Sequence, residues 1–104
     1  MNIVFHYLYR DGANYKNFNS VIFDNSRNLS LEALNQLLKE KLISEEYFYA
    51  NEWNIPDMHF GSWDDDIDHG FHQFECIEYT DEPANSEISL DDLIALIQQT
   101  KWIY

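Results

Sequence analysis

The sequence predicts an α+β fold, an antiparallel sheet with two helices packed on one face in the order ββαββα. Two observations carry this expectation. Leucines and isoleucines recur at helical spacing in two places, each behind a serine able to cap a helix. Between and before these stretches, β-branched and aromatic runs are bounded by Asp, Asn, Gly and Pro, the residues that turn a chain.

From Ile3 to Tyr9 the chain reads Ile-Val-Phe-His-Tyr-Leu-Tyr, apolar on both parities, which suits a strand covered on both faces, or on one face with aromatics spread over the other. Residues 10–17 are rich in Asp, Gly and Asn and predict a turn, so Phe18 to Asp24 is expected to return as the second strand of a hairpin. Ser30 then caps a helix whose Leu31, Leu34, Leu37, Leu38 and Leu42 form one apolar stripe, with Glu32, Asn35, Lys39 and Glu40 on the wet side. Tyr47 to Ala50 is expected as a short third strand, and Phe71 to Tyr79 as a fourth. Ser89 caps the last helix, with Asp91 and Asp92 in its first turn, where carboxylates complement the helix dipole, and Leu90, Leu93, Ile94 and Ile97 on its buried side. No repeat, linker or low-complexity tract interrupts the 104 residues, so one domain, 1–104, is expected.

Charge is the most informative feature. The chain holds 19 Asp+Glu against 6 Lys+Arg, a net charge of −13, and hydrophobic residues make up 45% with 16% aromatic. So much apolar material excludes a disordered acidic tail. The shortage of cations argues against direct contact with nucleic acid, whose binders displace phosphate counterions with Lys and Arg, and against anionic membrane surfaces. The charge is also polarised. Residues 1–41 carry five basic and four acidic side chains, whereas residues 42–100 carry fifteen Asp or Glu and no Lys or Arg. Solubility alone does not require a run of that length without a cation.

Cys76, the single cysteine, cannot close a disulfide within the chain, no basic n-region opens the sequence, and no stretch approaches the roughly 20 apolar residues of a membrane helix. A cytoplasmic protein is expected. Cys76 sits among Phe74, Ile77 and Tyr79 in a strand pattern, which predicts a small buried hydrophobe, not a nucleophile. Gly61-Ser62-Trp63 lacks the second glycine of a nucleophile elbow, and with 3 Gly in the chain no phosphate loop or dinucleotide fingerprint exists. The expectation is a non-enzymatic protein without a cofactor.

The stretch from His59 to Glu75 concentrates the chemistry. Trp63 stands directly before Asp64, Asp65 and Asp66, with Asp68 two places on, an arrangement that pairs an aromatic anchor with charges able to steer a basic partner. Metal binding is the competing reading, through Asp64, Asp66, Asp68, His69, His72 and Glu75. Asp64, Asp66 and Asp68 fall on positions 1, 3 and 5 of a calcium loop and Glu75 on position 12, but His69 occupies the place of the turn-making glycine and no helix leads in. His59, His69 and His72 with neighbouring Asp oxygens would instead suit a transition metal, although no His-Glu-x-x-His or Cys pair is present.

Tyr9-Arg10-Asp11 with Asn14-Tyr15-Lys16, and Asp68-His69-Gly70-Phe71-His72-Gln73-Phe74-Glu75, resemble stretches of small acidic hypothetical bacterial proteins of unassigned function. The resemblance implies a bacterial or mobile-element origin and brings no activity or site. Size and charge favour a protein-binding domain that inhibits a basic nucleic-acid-acting protein such as a nuclease, as immunity proteins, antitoxins, anti-defence inhibitors and DNA mimics do.

Overall fold

The computed structural model describes residues 1–10, 13, 15–56 and 71–101. Strand β1 (Asn2–Arg10) lies inside a four-stranded antiparallel sheet of order β2-β1-β4-β3, flanked by β2 (Lys16–Phe23) and β4 (His72–Thr80), with β3 (Tyr47–Phe48) on the far side of β4. Helix α1 (Leu31–Lys41) stands between β2 and β3 in the chain, and α2 (Leu90–Gln99) follows β4. The fold is therefore α+β.

The double-sided apolar pattern of β1 is explained by its position. Ile3, Phe5 and Tyr7 join the core cluster with Leu34 and Leu38 of α1 and Leu90, Leu93 and Ile97 of α2. Val4 and Leu8, of opposite parity, are buried as well. The hairpin is tighter than its polar sequence implied: pairing begins at Arg10↔Lys16, so Lys16 and Asn17 are strand residues. Ladder hydrogen bonds use the backbone, and an edge strand tolerates polar side chains.

Asn25 ties the chain together after β2. Its side chain donates to the carbonyls of Met1 (3.2 Å) and Leu29 (3.0 Å) and accepts from the Leu29 N–H (2.9 Å), which satisfies a buried amide and sets the approach to α1. Both predicted caps are present. Ser30 accepts from the Ala33 N–H at 3.1 Å, and Ser89 with Asp92 closes a reciprocal capping box.

The third strand is shorter than the expected Tyr47 to Ala50. The chain leaves it at Tyr49 for a 3-10 turn, Ala50–Trp53, closed by Asn54 in the left-handed region at φ 53°. This turn brings the fully buried Trp53 parallel to Phe48, with ring centroids 5.1 Å apart and planes 6° apart. The indole N–H donates to Thr100 Oγ1 at 2.8 Å, and that hydroxyl donates to the Leu96 carbonyl at 2.8 Å, so one side chain joins the turn to the end of α2.

Strand β4 carries an irregularity that simple alternation did not predict. His6 pairs with Cys76 and Tyr7 with Phe74, so Glu75 has no partner in β1 and forms a β-bulge. The extra residue changes the parity of the strand. His72 and Phe74 turn toward the helices before it, Ile77 does so after it, and Cys76 and Glu78 are left on the opposite face with His6.

Replacing Thr100 by Val keeps the shape but removes the acceptor for a buried indole N–H, which costs roughly 1–3 kcal/mol. Chemical denaturation of Thr100→Val should show that loss, and Thr100→Ser, which keeps the hydroxyl, should recover most of it.

Candidate functional site

The expected anchor Trp63, the steering carboxylates Asp64, Asp65, Asp66 and Asp68, and His59 and His69 of the metal reading all lie outside the described residues. Two members of the metal reading are described. His72 opens β4 with 1% of its surface exposed, its ring 5.2 Å from Tyr9, 5.9 Å from Tyr7 and 6.0 Å from Phe48. Glu75 is exposed at the bulge. Of the aromatics interleaved with the acidic run, Phe48 and Trp53 are fully buried, while Tyr47, Tyr49, Phe71 and Phe74 are half-buried.

Ten of the fifteen acids in residues 42–100 are described. Glu45, Glu46, Glu52, Glu75, Glu78, Asp81, Glu82, Glu87 and Asp92 are exposed, and Asp91 is partly so. Among the described residues, Asp91 is the one that meets a cationic side chain of the first segment, Arg27 at 3.3 Å. Asp92 spends its carboxylate on the α2 cap. Of the other described acids, Glu45, Glu46 and Glu52 stand at the turns around β3, Glu75 at the bulge, Glu78 on β4 beside His6, and Asp81, Glu82 and Glu87 on the loop after β4.

A second group is assembled by strand pairing. His6 of β1 faces Cys76 across the ladder, and Glu78 follows two residues along β4 on the same face. One donor atom from each lies within 4.8 Å of those of the other two. His6 Nε2 is 3.3 Å from Glu78 Oε2, and His6 Nδ1 is 2.6 Å from Ser20 Oγ on β2. The expectation of a buried cysteine is overturned: Cys76 is exposed. The reason is the bulge at Glu75, which puts Cys76 on the face away from the helices. Partial desolvation, then the neighbouring Glu78 and Glu75 carboxylates, hold its thiol above the ordinary range, because each disfavours a thiolate. The residues are 70 positions apart in the chain, and only the register of β1 on β4 brings them together.

Close by, a cleft of about 700 Å³ is lined by Asn19, Asn51, Asn54, Asn85, Ser86 and Glu87 among others. Its walls mix amide donors and acceptors and one carboxylate with the apolar side chains of Val21, Ile55 and Pro56. Among the described residues, no helix is long and apolar enough to cross a membrane. No family model, curated protein or solved structure matches the chain.

In metal-free buffer at neutral pH, Cys76 should react with iodoacetamide more slowly than an unperturbed thiol, since less of it is thiolate. Glu78→Gln removes one adjacent negative charge and should speed alkylation on the order of twofold, the effect of a single solvent-exposed charge. Equal rates for the two proteins would show that the carboxylate does not act on the thiol.

Proposed function

We propose that this chain is a non-enzymatic acidic domain that binds a basic protein and inhibits it, the partner being a nuclease or another nucleic-acid-acting enzyme whose phosphate groove the acids occupy. The observation that supports this reading is the unbroken acidic stretch from 42 to 100, whose described carboxylates are exposed while only Asp91 among them meets an Arg or Lys of the chain. Such a surface raises the local potential and steers a cationic partner. Trp63 is the anchor in this reading, and Asp64, Asp65, Asp66 and Asp68 extend the acidic surface. The same reading takes the element order as ββαββα, counting the two-residue β3 as a strand, and places the protein in the cytoplasm beside such enzymes.

Capture of partners on the immobilised chain at low and high salt, followed by purification of the captured protein, provides the test. The purified partner should associate roughly tenfold more slowly when salt rises several-fold, and nucleic acid should compete with the chain for it. The combined variant Asp64→Lys, Asp66→Lys, Glu82→Lys and Glu87→Lys should slow association by a similar factor without changing thermal stability. An association rate insensitive to salt and to these reversals, or a partner that binds nucleic acid and the chain at once, would contradict the proposal.

A further inference from the structure

We infer that His6, Cys76 and Glu78 bind a single zinc-class divalent cation on the face of the sheet opposite the helices. This site uses none of the residues of the 59–75 stretch and does not depend on the protein-binding reading. Two of the ligands, His6 and Cys76, are cross-strand partners, and the third lies two residues along β4 on the same face, where the ladder from Asn2 to His6 runs in regular register. Their donor atoms already converge within 4.8 Å. A tetrahedral ion with bonds of about 2.0 Å sets nitrogen and oxygen ligands about 3.3 Å apart. His6 Nε2 and Glu78 Oε2 are separated by 3.3 Å.

The donor set selects the ion. One sulfur, one imidazole nitrogen and one carboxylate oxygen suit zinc or cobalt, whereas calcium and magnesium require oxygen throughout. Ser20 completes the arrangement from β2. Its Oγ, 2.6 Å from His6 Nδ1, can accept that N–H, the tautomer that leaves the Nε2 lone pair toward Glu78 and the ion. The side chain of His6 is 28% exposed and that of Glu78 64%, so the ion has an open approach and a fourth position remains for water. On binding, a sulfur–metal bond replaces the Cys76 S–H bond and the proton passes to solvent; Glu78 gives up its contact with His6 Nε2, and both atoms turn to the ion.

Cobalt(II) added to the metal-free protein is the probe. One equivalent should produce a thiolate-to-cobalt charge-transfer band together with the intense visible bands of a tetrahedral ion, and zinc should abolish both. Cys76→Ser should remove the charge-transfer band, and Glu78→Gln and His6→Gln should each weaken binding at least tenfold. Cys76 and Glu78 are surface residues, so circular dichroism should find their variants folded; should His6→Gln unfold, Ser20→Ala, expected to weaken binding while keeping the imidazole, takes its place. The triple variant Asp64→Asn, Asp66→Asn and Asp68→Asn should leave the charge-transfer band intact. Absence of that band at one equivalent, or a band that persists in Cys76→Ser, would overturn the assignment, as would cobalt binding lost in the triple aspartate variant and retained in Cys76→Ser.

Discussion

The register of β4 on β1 decides which residues of β4 reach the helices and which reach the opposite face. The sheet must bury Ile77 and Phe74 against the helices, yet these residues stand three apart, an odd spacing that a regular strand would put on opposite faces. One unpaired residue, Glu75, reconciles them. Before the bulge, His72 and Phe74 pack toward Phe5, Tyr7 and Phe48; after it, Ile77 continues the same core. The unpaired residue carries a charge and remains in water, so the irregularity leaves no apolar side chain exposed at that point.

The same shift creates chemistry on the other face. A strand continuous in register would leave Cys76 facing the helices, as its apolar neighbours in the sequence suggest. With the bulge, Cys76 and Glu78 stand beside His6 and Ser20, and three strands contribute to one small group of donors. Core packing and the candidate metal ligands are thus two consequences of one backbone feature. The acidic surface is a separate matter: it follows from composition, and the fold only determines that its described carboxylates reach solvent with few cations nearby.

The helices were legible because their information is local. Leucine spacing, Ser30, Ser89 and the first-turn acids of α2 each act within a few residues, and the structure has both caps. Strands were legible in outline for the same reason, but their ends and register were not. Lys16 and Asn17 join β2 through backbone pairing that their side chains do not advertise, and Trp53 bends the chain out of β3 to stack on Phe48, a contact decided by tertiary packing. Cys76 is exposed despite its apolar neighbours in the sequence, because a bulge has no clear local signature. His6 was not a candidate ligand for the related reason that nothing in its own segment points to residues 70 places away. The acidic run was legible as charge, and which partner it meets is not encoded in charge alone.

Nuclear Overhauser contacts across the β1–β4 ladder distinguish the bulged register from a regular one. The bulged register predicts cross-strand contacts of His6 with Cys76 and of Tyr7 with Phe74, and none that pair Tyr7 with Glu75. A regular ladder with Tyr7 opposite Glu75 would contradict the account, because it would turn either the core residues or the His6, Cys76 and Glu78 group to the wrong face.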